Sequence, residues 1–298
     1  MKHLLALTLV LALLFSSCRK HASPPEPATH SFIDDVGHSV ALSHAPRRVV
    51  SLAPSLTEIL FLIGADSSLI GVTDYCDFPE AAKQKAKIGG MLNPNIERIL
   101  ALQPDLVLMS GSGNMRADFE KLSSTGTPVF VSYPRTVDGV FKSILSIADL
   151  TGRRQTADSL VALLQLRRDN LVHKAAAKKK ETVLMILSLN PLIAIGPKTF
   201  LNELVTLANG QNIVHDSSTS YPVLSREEIL RRQPDVIIAT NDIVRSINDI
   251  LSPYPEWKSL TAIRNKRVAI VDASIVSRPG PRIIDGLEAI IRALHGEH

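Results

Sequence analysis

The sequence predicts an α/β fold in two lobes joined by a long helix, and three observations carry that expectation. Its 298 residues are enough for two domains at a prior of about 150 residues each. Short runs of consecutive apolar residues alternate with stretches of helical periodicity through both halves, the pattern of strands buried between helices. Third, residues 97–108 (ERILALQPDLVL) recur at a constant offset of 130 residues as 227–238 (EEILRRQPDVII). Each copy reads as helix, Gln-Pro-Asp turn and buried strand, with proline just past the helix end, where it cannot continue the helix. A fainter echo pairs Asp77-Phe78-Pro79 with Ser220-Tyr221-Pro222.

Composition narrows the class. Hydrophobic residues make up 45% and charged residues 21%, a globular balance that argues against disorder and against a polytopic membrane protein. The formal charge of +4 is small, and no Lys/Arg stripe interleaves with aromatics, so no nucleic-acid partner is expected.

Taken in order, residues 1–17 read as a signal peptide. Met1-Lys2-His3 is a basic start, and the apolar run over 4–15 is too short to span a bilayer of ~30 Å. Phe15-Ser16-Ser17-Cys18 resembles a bacterial lipobox, with Cys18 as the lipidated residue and Phe15 in place of the usual leucine. The chain has two cysteines, so acylating Cys18 leaves Cys76 unpaired and no disulfide is expected. Residues 18–30, Pro-, Ser- and Ala-rich, read as a flexible tether. The expected product is exported and lipid-anchored to a bacterial membrane.

Residues 31–150 form the expected N-terminal lobe. Residues 31–42 read as a hairpin around Asp-Val-Gly-His, and strands are expected at 48–52, 70–72, 106–109 and 129–131. Ser55 followed by Glu58 has the capping-box spacing of a helix start. Helical periodicity over 137–150 and 155–180 predicts a linking helix within 151–180, ending in Lys178-Lys179-Lys180, cations suited to a helix C-terminus. Residues 181–298 restart the pattern as a C-terminal lobe, with strands at 183–187, 236–239 and 268–271 and helices at 200–208 and 282–295.

Motifs for catalysis or metal capture are missing. No phosphate loop or G-x-S-x-G elbow occurs, and Gly111-Ser112-Gly113 lacks dinucleotide-fingerprint spacing. His38, His44, His173 and His215 are scattered without ligand spacing, so no resident metal is expected. Cys76 reads as a small buried hydrophobe.

The residues 48–58 (RVVSLAPSLTE), the paired Pro-Asp repeats, the long linking stretch and Arg278-Pro279-Gly280-Pro281-Arg282 occur in order after a lipobox-like start. Together, over residues 31–294, they resemble the substrate-binding proteins of ABC importers for cobalamin and ferric siderophores, closest to the cobalamin-binding branch. The resemblance implies two Rossmann-like α/β lobes joined by a single rigid helix, with the ligand in the cleft between them and little hinge motion. It implies a non-enzymatic monomer with no permanent cofactor, a permease and its ATPase as partners, and a metal chelate as cargo. It also implies that Glu97 and Glu227, one per lobe and each two residues past an expected cap (Asn95, Ser225), dock onto permease arginines.

For the ligand, the resemblance points to Pro54, Ser55, Tyr75, Met91, Ile193, Tyr221, Ser274 and Arg278. Tyr75 falls at a ligand-stacking tyrosine of the cobalamin branch, and Tyr221 at a tryptophan. Met91, Ile193 and Ser274 depart from its tryptophan, phenylalanine and aspartate. A corrinoid is the favoured cargo, with a ferric siderophore or haem as alternatives. A siderophore would favour cleft cations beyond Arg278 and Arg135. An exported enzyme acting on a tetrapyrrole on the same scaffold is the rival from another class, and no nucleophile–base pair supports it.

Overall fold

The structure, a computed structural model, describes residues 30–296. The signal peptide and Cys18 lie outside the described residues. Strands β1 (His30–Ile33) and β2 (Ser39–Leu42) form an antiparallel hairpin. It begins at His30, the last residue of the stretch read as tether.

The N-terminal lobe follows as β3 (Val49–Ser51), α1 (Pro54–Leu62), β4 (Leu69–Val72), β5 (Ala86–Lys87), α2 (Ile96–Ala101), β6 (Leu106–Ser110), α3 (Arg116–Ser124) and β7 (Val129–Ser132). Its strands are all parallel in the order β5-β4-β3-β6-β7. That is the doubly wound order, with its switch point between β3 and β6.

Helices α4 (Val137–Thr151) and α5 (Arg154–Ala176) lead to the second lobe. It contains β8 (Glu181–Leu189), β9 (Leu192–Ala194), α6 (Phe200–Leu207), β10 (Gly210–Asn212), α7 (Arg226–Arg232), β11 (Val236–Thr240), α8 (Ile247–Leu251), α9 (Thr261–Arg264), β12 (Val268–Val271), α10 (Ala273–Val276) and α11 (Ile283–His295). Here β10-β8-β11-β12 are parallel, and β9 folds back antiparallel on β8.

The apolar runs are strands with two covered faces. Val49, Leu106 and Leu108 face one core while Val50, Val107 and Met109 face another, as the period of two requires. In the second lobe Val183, Met185, Val236 and Ile238 turn one way and Leu184, Ile186, Ile237 and Ala239 the other. The inner faces of both sheets belong to one continuous cluster. It runs through Phe141 and Ile144 of α4, Val161 and Leu164 of α5, and Leu287 and Ile290 of α11. At 23 residues, α5 spans about 34 Å and ties the lobes along that shared core.

The 130-residue repeat is structural. Asn95 and Ser225 cap α2 and α7 by accepting the N–H of Arg98 (2.9 Å) and Glu228 (3.1 Å). Both helices end on a glutamine at positive φ, Gln103 at 48° and Gln233 at 43°. Asp105 then accepts the backbone N–H of Arg47 and Arg48 at the entry to β3, and Asp235 accepts that of Thr182 in β8.

Two local expectations are corrected. Ser55 caps nothing: Ala53 is the N-cap of α1, Pro54 takes the first helical position, and Glu58 is drawn to the other lobe instead. The helix expected to reach Lys180 ends at Ala176. Lys178–Lys180 lie beyond it, where the chain must extend to enter β8.

Candidate functional site

Both parallel sheets direct the carboxyl ends of their strands toward the gap between the lobes, where loops of doubly wound folds collect ligands. A cavity of about 350 Å³ lies there. Its N-lobe wall is Gly111 and Ser112 after β6 with Tyr133, Pro134 and Arg135 after β7. Its C-lobe wall includes Lys198, Phe200 and Tyr221, with Ser277 and Pro279 from the segment before α11. Hollows of about 520 and 430 Å³ are larger, but each lies within one lobe, along β12 and between His38 and Phe119.

The cavity walls are held by backbone. The N–H of Tyr133 donates to Asp35 Oδ2 at 2.8 Å, fixing the β7 exit against the N-terminal hairpin, and Arg135 lies over the Tyr133 ring at 5.8 Å. The segment carrying Tyr221 runs against β9. Ala194 N–H donates to Pro222 O and Gly196 N–H to Ser220 O. A Cβ at Gly196 would stand 2.2 Å from the Thr219 carbonyl, so the approach that seats Tyr221 requires glycine. Burial raises the Tyr221 hydroxyl above its ordinary range, and the neighbouring Tyr133 adds to the shift. Two phenols, one from each lobe, thus line one cavity.

Beside it runs an ionic network that joins the lobes. Glu58 of α1, with its side chain 2% exposed, accepts from Arg282 Nη2 at 2.7 Å and Nε at 2.9 Å and pairs with Arg278 at 3.4 Å. Arg278 also binds Asp77 at 2.6 Å, and Arg282 lies 4.2 Å from the Phe78 ring centroid. The Arg278 guanidinium holds the Asp77 carboxyl below the usual carboxylate range. Gly280 sits between these arginines, and a Cβ there would stand 3.0 Å from that of Ser55.

These contacts sort the residues singled out from sequence. Tyr221 lines the cavity. Arg278, Pro54, Ser55 and Ser274 belong to the interlobe junction: Pro54 and Ser55 are buried in α1, and Ser274 contacts Arg282 through its carbonyl and hydroxyl. Tyr75 is 61% exposed beside Gly90, and its carbonyl lies 3.5 Å from Arg278. The Met91 side chain covers Gly113, next to the cavity wall. Ile193 bridges Val223, two residues from Tyr221.

Sequence reasoning missed Tyr133 and Lys198. Their signal was weak, a polar residue just beyond an apolar strand run. It also missed the partners of Arg278, since Glu58 was absorbed into a capping pattern. Glu97 and Glu227 are exposed in the first turns of α2 and α7, and among the described residues neither has an ion-pair partner. Cys76 is buried, with its Sγ 3.2 Å from the hydroxyls of Thr57 and Thr73. Among the described residues, no cluster of three or more His, Cys, Asp or Glu could hold a metal ion.

A sequence profile described as periplasmic binding protein matches residues 49–275. The chain belongs to the periplasmic binding protein family. It is 30% identical over 245 residues to the vitamin B12-binding protein of Vibrio campbellii, covering 82% of this chain and 88% of that one. It is 30% identical over 305 residues to the uncharacterized ABC transporter substrate-binding lipoprotein YvrC of Bacillus subtilis, covering 97% and 96%. The crystal structure of the periplasmic vitamin B12-binding protein BtuF of Vibrio cholerae superposes with a TM-score of 0.76 at 27% identity, covering 84% of this chain and 97% of that one. These relatives are binding proteins rather than enzymes. As a member of the family, the chain is an exported substrate-binding protein of an ABC importer, and its two lobes are those of the family fold.

Proposed function

We infer that this periplasmic binding protein captures a corrinoid, with cobalamin as its cargo, and delivers it as a monomer to a permease driven by its ATPase. The observation that carries this reading is the pair Tyr133 and Tyr221, aromatic faces from opposite lobes lining one cavity at the carboxyl ends of both sheets. A corrinoid is larger than this cavity and would extend beyond it, and Tyr75, Leu92 and Val223 offer exposed apolar side chains. The names of the B12-binding relatives point the same way. A lipid on Cys18 would hold the receptor at the membrane, as the lipoprotein name of the Bacillus relative supports. Glu97 and Glu227, exposed and unpaired among the described residues, are the contacts proposed for the permease.

Calorimetry of the purified protein tests the ligand. Cyanocobalamin should bind, and Tyr133→Ala and Tyr221→Ala should each weaken it by about 1–2 kcal/mol through lost stacking and contact area. Wild-type protein that ignores cobalamin but binds a ferric siderophore tightly would overturn the corrinoid reading. For the anchor, Cys18→Ala should move the protein from the membrane fraction to the soluble one, and unchanged fractionation would remove the tether.

A further inference from the structure

Several cations of this protein are held by carboxylates. Arg167 binds Asp285 and Glu288, Arg232 binds Asp216 and Glu228, and Arg278 and Arg282 share Glu58. Arg135 and Lys198 are not so held, and they are the two cations that line the interlobe cavity. They approach the cleft from opposite lobes, and among the described residues neither forms an ion pair. Arg135 lies over the Tyr133 ring at 5.8 Å, among the described residues its donors have no hydrogen-bond partner, and none of the described residues lining the cavity is acidic. Two like charges left unneutralised at one cavity repel each other, and an anion between them would turn that repulsion into attraction from both sides. A guanidinium also presents a planar fork of donors matched to phosphate and carboxylate oxygens.

We propose that Arg135 and Lys198 form a two-lobe clamp for an anionic oxygen group carried by the ligand. The clamp rests on the chelate-receptor reading and deepens it, because the cargo is then a flat apolar body with an acidic appendage. Tyr133 and Tyr221 take the body, and the clamp takes the appendage. Two macrocycle classes carry such a group: the phosphodiester of a corrinoid with its nucleotide loop, and the carboxylates of haem. Since one cation comes from each lobe, the anion also bridges the lobes where the Glu58 network does not reach.

Two ligand pairs, each with and without the anionic group, test this. Cyanocobalamin is set against dicyanocobinamide, which lacks the phosphodiester, and haem against its dimethyl ester. Wild-type protein should prefer the charged member of one pair at least tenfold, and which pair shows it identifies the source. The Arg135→Gln/Lys198→Gln double variant should lose at least tenfold in affinity for that member and less than threefold for its uncharged twin. Arg135→Lys, which keeps the charge and loses the fork, should retain more affinity for that member than Arg135→Gln. Both residues are exposed, so the melting temperature should hold, and the two single Gln variants give the same readout. A folded double variant that weakens both members equally, or neither, overturns the clamp while the receptor reading stands. Wild-type protein that binds none of the four ligands removes the macrocycle reading, and the clamp with it, while membership of the binding-protein family stands.

Discussion

Glu58 shows how one carboxylate can hold two lobes together. It is buried, and its two oxygens take the fork of Arg282 while Arg278 stands at 3.4 Å. Replacing it with glutamine leaves two partly buried guanidinium groups facing a neutral amide. Breaking a buried pair from one side typically costs about 3–5 kcal/mol, so Glu58→Gln should lower the unfolding free energy obtained from urea melts by that amount. Asp77 is the contrasting partner, with its side chain 54% exposed, and Asp77→Asn should change stability little at neutral pH. Its pH dependence is the sharper readout. Because Arg278 depresses the native Asp77 pKa, the carboxylate contributes its full share above the ordinary aspartate pKa of about 4. That share is lost as pH falls through the lower native value. Melting temperature should therefore fall less steeply below pH 4 in Asp77→Asn than in wild type, and parallel curves would mean that the pair adds nothing. The sequence disclosed Arg278 as a residue of interest and hid its role. Ser55-x-x-Glu58 has the spacing of a cap, and nothing local distinguishes a carboxylate that closes a helix end from one that reaches 220 residues along the chain.

At the scale of elements, the repeat was legible because both copies solve the same problem within a dozen residues: end a helix, reverse, and enter a parallel strand. Asn95 and Ser225 cap, Gln103 and Gln233 turn through the left-handed region, and Asp105 and Asp235 tie the turn to the neighbouring strand. The copies differ in one respect that can be measured. Gln233 accepts from Thr261 N–H and hydroxyl and donates to Leu230 O, whereas no side-chain bond holds Gln103 among the described residues. A residue with a Cβ at positive φ is strained by about 1 kcal/mol relative to glycine. Gln103→Gly should therefore stabilise by up to that amount, while Gln233→Gly should be neutral or destabilising because it gives up three hydrogen bonds. Equal effects in thermal melts would show that the turns are alike in energy as well as in shape. The end of α5 was not legible in the same way, because Lys178–Lys180 suit a helix C-terminus and also the solvated entry to β8.

For the whole molecule, the shared cluster through α4, α5 and α11 makes the lobes one packed body on the side away from the cleft. Most of the cleft was invisible in sequence for the same reason. Tyr133 and Lys198 meet only because strand ends from two separate sheets converge, which no local pattern encodes. Docking onto a permease belongs to this scale too. Helices α2 and α7 run antiparallel to the strands they precede, so their N-termini, and with them Glu97 and Glu227, stand at the same carboxyl ends of the sheets as the cleft. A partner that engages both carboxylates would sit across the mouth from which the ligand must leave. Each glutamate also complements its helix N-terminus, worth about 0.3–1 kcal/mol, and that local role predicts only a slightly lower melting temperature on reversal. The two roles separate in one variant. Glu97→Arg with Glu227→Arg should keep ligand affinity within about threefold, since neither residue lines the cavity, yet, if the proposed docking onto permease cations holds, should abolish uptake in cells by setting like charges against them. Either single reversal should leave partial uptake, because one lobe would still dock. Wild-type uptake by the double variant would return both carboxylates to the helix ends alone.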